Sequence, residues 1–299
     1  MDADVFLQNG IPAQALCPLA PLSSFHIGGA ARTAVLPETR EQLLRALELV
    51  RAARAPFDII GNGTNLLFPD GIYEGVLLVT RRMRGAVFRG DGVTAAAGAP
   101  LPALAADAWR HGLSGLEFAQ GIPGTLGGGV FMNAGAFGGC MADVTEWSEW
   151  FDCASGEVGR FLGAEQRFGT RTSIYEAEKR WILLGAGLRL TPGDPDAIRA
   201  KMEDCRMRRQ RTQPLELPSA GSVFRHPPGA FAGKLIEDCG LKGTRIGGAE
   251  VSVKHAGFIV NRGGATAQDV TDLISYIRET VLRETGYRLE CEVRTVIYR

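Results

Sequence analysis

Much that is common in proteins is scarce in this chain, and each shortage closes a class of function. No run approaches the roughly 18 apolar residues of a membrane-spanning helix. The opening MDADVFLQNG lacks the basic start and apolar stretch of a secretory leader. The six cysteines (17, 140, 153, 205, 239, 291) are scattered without a CxxC pair, so they read as reduced thiols or small core residues of a cytoplasmic protein. The four histidines (26, 111, 226, 255) stand far apart, with no HxxxH pair or Cys/His cluster, and no metal site is expected. Net charge is missing too: 33 Lys+Arg balance 33 Asp+Glu, so no global field draws the chain to nucleic acid or anionic lipid. Lysine occurs only at 179, 201, 234, 242 and 254, which makes arginine the default cation and any single arginine weak evidence of an anion site.

What is present is a globular composition, 45% hydrophobic and 22% charged, over 299 residues, enough for two or three compact units. Glycine is in excess: 39 residues, nearly twice the usual ~7%, without a collagen period. The pattern predicts a strand at 34–37, a helix over 38–53 with Leu43, Leu47 and Val50 at helical spacing, and a buried strand at 57–60 running into Gly61-Asn62-Gly63-Thr64-Asn65. Strands are expected near 76–80, 86–88 and 93–97, then a helix at 102–111. From 121 to 139 eight glycines fall in nineteen residues, a density that predicts sharp turns and neither helix nor strand. Strands near 144–152, 157–161 and 181–190 make the middle β-rich. A charged helix at 195–209 leads into a second unit over about 212–288, with an amphipathic helix at 267–285 whose stripe is Val270, Leu273, Ile274, Ile277 and Val281. A last strand is expected over 288–298, with Leu289, Cys291 and Val293 on one face and Glu290, Glu292 and Arg294 on the other.

The short nucleotide motifs fail. Gly61-x-Gly63 is followed by Leu66 where a dinucleotide fingerprint has its third glycine. The run 229–235 is one residue too short for a phosphate loop and carries Leu235 in place of Ser/Thr. No GxSxG elbow occurs. Composition and spacing therefore stop at a β-rich protein with a glycine-lined site for an anionic or nucleotide ligand.

The order of longer motifs goes further. SSFHIGGAARTAVLP (23–37), GNGTNLLFPDG (61–71), GLSGLEFAQGIPGTLGGGVFMNAGAFGG (112–139), QPLELPSAGSVFR (213–225), GKLIEDCGLKGTRIGGAEVSVKHAGFIVN (233–261) and LECEVR (289–294) follow in the order of one family. The chain resembles the UDP-N-acetylenolpyruvoylglucosamine reductases, flavoenzymes of bacterial peptidoglycan synthesis. The compact stretch 233–261 resembles the family's shorter second subtype, which lacks a long connection bearing a substrate-gripping tyrosine. The resemblance implies an α+β fold: a two-subdomain FAD-binding domain of the vanillyl-alcohol-oxidase type over 1–195 (about 1–60 and 61–195), and a C-terminal α+β substrate domain over 206–288. The strand 289–299 is expected to return to the first domain.

It also implies non-covalent FAD, NADPH as co-substrate, and UDP-GlcNAc-enolpyruvate as acceptor. By the same resemblance, Gly61, Asn62, Gly63, Thr64 and Asn65 with Gly121, Ile122, Pro123, Gly124 and Thr125 bracket the FAD pyrophosphate, and Gly128, Asn133 and Gly135 line the flavin side. Closely approaching backbone N–H groups can satisfy a diphosphate without a neutralising cation. NADPH reduces the flavin and leaves; the enolpyruvyl substrate then takes a hydride at C3. Arg171 in GTRTS steadies the charge on the adjacent carboxylate, Ser222 in PSAGS delivers a proton to C2, and Glu292 in LECEV completes the set. Alone, each has a plainer reading: one arginine among many, a turn or cap serine, a solvated strand face. The family's Tyr-Arg-Asp-Ser is here Thr170-Arg171-Thr172-Ser173, so the aromatic is gone and Thr172 removes a carboxylate that could orient Arg171. Cys140 stands where the family often has Glu. A related FAD oxidoreductase on another small molecule, or a flavin- or nucleotide-sugar-binding relative without turnover, are the alternatives. No obligate partner is suggested, and a monomer is expected.

Overall fold

Strand Trp181–Arg189 (WILLGAGLR) is apolar at nearly every position because both of its faces are covered. In the computed structural model, which describes residues 1–296, this strand is central in a five-stranded antiparallel sheet. The sheet order is Val158–Leu162, Thr145–Asp152, Trp181–Arg189, Gly92–Ala96, Ala86–Arg89. Its pairing with Thr145–Asp152 slips between Glu149 and Trp150, which inserts one extra residue into the central strand. Past the slip, Ala186 and Leu188 join Leu183 in a core with Leu101, Leu104, Leu126 and Val130. Ile182 and Leu184 enter a second core with Leu43, Leu47, Val76 and Leu78. The helix Arg40–Ala52 supplies that second core; Thr39 caps it, its side chain accepting from the Gln42 N–H at 3.2 Å.

Strand Phe57–Ile60 pairs in parallel with Ile72–Val79, in a four-stranded sheet completed by Ala30–Val35 and Ala13–Pro18. The strand expected at 34–37 thus begins earlier and stops short of Pro37, which has no N–H for a ladder.

The C-terminal part builds its own core. Strands Ser219–Ser222, Phe258–Asn261, Ala249–Val251 and Arg245–Ile246 pair in that order, and the helix Ala267–Thr285 packs Val270, Leu273, Ile277 and Val281 with Ala220, Val223, Val251 and Ile259. Ile274 completes the stripe partly buried. Thr266 and Asp269 form a reciprocal capping box, and Gly286, at φ +76°, ends the helix in the left-handed conformation that glycine adopts without steric cost.

Three expectations are corrected. Helix Pro195–Thr212 runs past 209. The expected strand 288–298 is regular only at Arg294–Thr295, and its tail, 297–299, lies outside the described residues. The segment divides its backbone bonds between two neighbours: Arg225 donates to Glu290 O, Glu292 to Val223 O, and Arg294 to Asn65 O, so no single ladder grows. Cys291 is exposed while Leu289 and Val293 are buried. Third, the glycine-rich stretch does contain a helix, Leu126–Phe131 (LGGGVF). Its first turn is capped by Thr125, and close neighbours hold it: the Leu126 N–H donates to Ala99 O at 2.8 Å and the Gly127 N–H to Ala97 O at 2.7 Å. Tertiary hydrogen bonds there override a poor intrinsic propensity.

By internal packing the chain divides into two units, and both are discontinuous. One comprises Met1–Ala15, Thr33–Asn62 and Gly75–Arg209; the other comprises Leu16–Arg32, Gly63–Glu74 and Gln210–Arg299. This division does not follow the boundaries at 195 and 206. The reason is visible in the second unit: Ser24 and Asp70 bond to residues late in the chain, Ser24 Oγ donating to Ser219 O (2.7 Å) and Asp70 Oδ1 accepting from the Ala267 N–H (2.7 Å). None of the six cysteines forms a disulfide. Among the described residues no helix is long and apolar enough to cross a membrane, and no group of three or more His, Cys, Asp or Glu could hold a metal ion.

Candidate active site

In the first unit the strand Phe57–Ile60 delivers Gly61 and Asn62 to the loop that follows the 3-10 helix Glu117–Gly121. The Asn62 side-chain amide donates to Pro123 O at 2.9 Å, and a Cβ at Gly61 would collide with the Thr125 hydroxyl. Two glycine motifs about sixty residues apart in sequence are therefore neighbours. The loop's approach is set by Glu117, which is buried and accepts from Ser114 Oγ (2.5 Å) and the Gly115 N–H (2.9 Å), with Lys201 Nζ at 3.6 Å. Burial pushes this carboxyl up, but these partners together hold it below the ordinary Glu range.

Backbone donors line this loop. The N–H groups of Asn62, Gly124 and Thr125 make no hydrogen bond to a described residue. Gly128 adds an independent sign: it is exposed, and a Cβ there would meet only Thr125 Oγ1, at 3.7 Å. The protein's own packing does not require glycine at 128. Free backbone donors and a bare helix face fit the diphosphate and ring system of FAD.

Asn133 and Gly135 have structural duties. Asn133, at φ +43°, spends its amide on the protein: Nδ2 donates to Gly169 O (3.0 Å) and Oδ1 accepts from the Ala142 N–H (2.9 Å). Gly135 sits in a tight pairing with Gly139–Cys140, where a Cβ would come within 2.8 Å of the Cys140 Cβ.

The Asn133 bond positions Arg171. Gly169 and Thr172 bond reciprocally, 3.1 and 3.4 Å, leaving Thr170 and Arg171 at the tip of a tight turn, with Arg171 at φ +57°. Ser173 Oγ donates to Phe131 O at 2.8 Å and ties the turn to the end of the glycine-rich helix. Arg209, which the sequence did not single out, belongs to the same region. A Cβ at Gly121 would meet its Nε at 2.7 Å, and its guanidinium lies 5.9 Å from the Phe137 ring centre. Burial, and then the charge of Arg171, pull the Arg209 pKa down. A long helix with arginine or lysine at many positions gave no signal for which of them would turn inward.

The second unit holds the other residues. Gly63 adopts φ +62°, and a Cβ there would strike Leu22 O, so glycine is obligatory. Asn65 Nδ2 donates to Glu292 O at 3.1 Å, and Arg294 returns a bond to Asn65 O at 3.0 Å. The Glu292 N–H in turn donates to Val223 O at 2.7 Å. Ser222 and Glu292, seventy residues apart, are thereby set on adjacent stretches of backbone. Strand Ser219–Ser222 carries a bulge: Ser219 faces Val260 and Ser222 faces Phe258, with Gly221 at φ +79° absorbing the extra residue. The half-buried Ser222 hydroxyl makes no hydrogen bond to a described residue.

Two family models match the chain. Residues 31–161 match the FAD binding domain model, and 213–296 match that of the UDP-N-acetylenolpyruvoylglucosamine reductase C-terminal domain. The UDP-N-acetylenolpyruvoylglucosamine reductase of Caldanaerobacter subterraneus subsp. tengcongensis is 45% identical over 279 residues, covering 93% of this chain and 92% of that protein. The enzyme of the same name from Alkaliphilus oremlandii is 46% identical over 280 residues, covering 93% and 91%. The crystal structure of UDP-N-acetylenolpyruvylglucosamine reductase from Thermus caldophilus superposes with a TM-score of 0.80 at 35% identity, over 95% of this chain and 98% of that one. With an FAD-binding domain, that C-terminal domain and end-to-end similarity to such enzymes, the chain belongs to the UDP-N-acetylenolpyruvoylglucosamine reductase family.

Proposed function

We propose that this flavin-dependent oxidoreductase reduces UDP-N-acetylglucosamine-enolpyruvate to UDP-N-acetylmuramate at the expense of NADPH, in peptidoglycan synthesis. The reading places it in the cytoplasm as a monomer. FAD, when bound, would supply the two-electron chemistry that links NADPH to the enolpyruvyl group. Gly61–Asn65 and Gly121–Thr125 would hold its pyrophosphate, and Gly128 would give the ring system room.

The residues of this chain do the rest. Hydride arrival at C3 pushes negative charge through C2 into the substrate carboxylate. Arg171 has the fixed charge and forked donors to stabilise that carboxylate. Ser222 delivers the proton to C2; its hydroxyl is not committed elsewhere, and the enolate it meets is strongly basic. Glu292 acts as a protonated or water-bridged partner, since two bare carboxylates at one substrate would repel. Of the two domain roles, the N-terminal region binds FAD and the C-terminal region the substrate.

The observation that carries this reading is the pairing of Ser222 with Glu292 through the 2.7 Å bond from Glu292 N–H to Val223 O, with Asn65 tying the same segment to the glycine loop. The test is an anaerobic visible spectrum of the holoenzyme. NADPH should bleach the flavin band, and UDP-N-acetylglucosamine-enolpyruvate should restore it. A flavin that bleaches and then ignores this acceptor sinks the assignment.

A further inference from the structure

The turn that presents Arg171 is fixed as backbone but leaves its long side chain to be aimed by something else. Both ends are pinned: Asn133 holds Gly169 O, and Ser173 is tied to Phe131 O. Thr172, beside the arginine, has no charge with which to aim it. Its hydroxyl instead donates to Glu176 Oε2 at 2.9 Å. Glu176 is the third residue of the short helix Ile174–Ala177, and its backbone N–H donates to Ser173 O at 3.1 Å, so this carboxylate is carried on the same pinned turn. Arg171, Thr172 and Glu176 are all half-buried. The next carboxylate along, Glu178, is engaged with Arg167 at 2.8 Å and with the Trp181 indole N–H at 3.3 Å.

We infer that Glu176 is a positioning residue for Arg171, its carboxylate doing from a helical turn away what Thr172 cannot do in place. The inference rests on the proposed reaction. Two demands meet at this point. A guanidinium is useful to a developing carboxylate only if its fork is held in one plane, because its bidentate geometry is directional. The positive charge of Arg171 also disfavours the charge on Arg209, so the two arginines repel. A carboxylate fixed by the Thr172 hydroxyl answers both: it accepts from one edge of the Arg171 fork, leaves the other edge for substrate, and offsets the repulsion between the two arginines. Thr172 in turn holds Glu176 to one rotamer.

The test compares wild-type holoenzyme with Glu176→Gln, Glu176→Ala and the double variant Glu176→Ala/Thr172→Asp, following each half-reaction by stopped flow. Flavin reduction by NADPH should be unchanged in all. Reoxidation by UDP-N-acetylglucosamine-enolpyruvate should slow roughly 10- to 100-fold in both single variants, as a fall in kcat larger than any rise in KM, with the melting temperature little altered. The double variant, which returns a carboxylate to the turn, should recover most of the rate. Single variants that reoxidise at the wild-type rate would overturn the inference, as would a double variant that folds and recovers nothing. A wild-type enzyme that fails to turn over this acceptor would instead overturn the proposed function, and Glu176 with it.

Discussion

Replacing Gly128 by alanine separates the needs of the protein from those of its cofactor. Gly128 lies inside the helix Leu126–Phe131 and is exposed, and the new methyl meets only Thr125 Oγ1 at 3.7 Å, an ordinary contact. A glycine inside a helix costs about 0.5–1 kcal/mol relative to alanine, so the apoprotein should be slightly more stable, by an amount worth roughly 1–4 °C in melting temperature. FAD faces the opposite effect. A methyl pushed against a ring system seated on this backbone costs about 1–3 kcal/mol as overpacking, equivalent to an approximately 5- to 150-fold rise in Kd. The assay is a pair of titrations, thermal unfolding of the FAD-stripped protein and fluorescence-quench binding of FAD to it. A variant that binds FAD as tightly as wild type would refute the argument that glycine at 128 exists for the cofactor. A variant whose apoprotein is strongly destabilised would refute the claim that the protein itself has room there.

Gly61→Ala should behave differently, because its Cβ meets the Thr125 hydroxyl. It should destabilise the apoprotein by about 1–3 kcal/mol, and the double variant Gly61→Ala/Thr125→Ala should recover part of that loss in urea unfolding; strict additivity of the two changes would show that they do not touch. Glu117→Gln should cost about 1–3 kcal/mol at pH 7. The folded carboxyl sits below its ordinary value, so its stabilisation is present above the unfolded pKa and fades as pH falls through the folded one. The gap between wild type and variant should therefore shrink below about pH 4.3, and a gap independent of pH would contradict the assignment. Ser222→Ala should leave NADPH-driven bleaching intact while slowing reoxidation by the enolpyruvyl substrate roughly 10²- to 10⁴-fold; equal losses in both half-reactions would mean that Ser222 serves binding and not proton delivery.

Local patterns determined a good deal of this protein. The helix at 267–285 coincides with Ala267–Thr285 because cap, stripe and terminal glycine all agree, and Phe57–Ile60 is a strand by its aromatic and β-branched residues between Pro56 and Gly61. Six ordered motifs were enough to reach the family, since long matches in sequence order do not depend on knowing any contact. Other features required tertiary structure because they depend on groups distant along the chain. The glycine-rich helix Leu126–Phe131 exists by virtue of bonds to Ala97 and Ala99, so no local propensity could reveal it. The C-terminal segment alternates like a strand yet divides its bonds between Val223 and Asn65, which only the folded chain places beside it. Arg209 and Glu176 look like any other charges of an arginine-rich protein until Gly121 and Thr172 are found against them. Pattern reports which faces are apolar; which polar group meets which is a matter of three-dimensional closure, and the chemistry of this site is made almost wholly of such meetings.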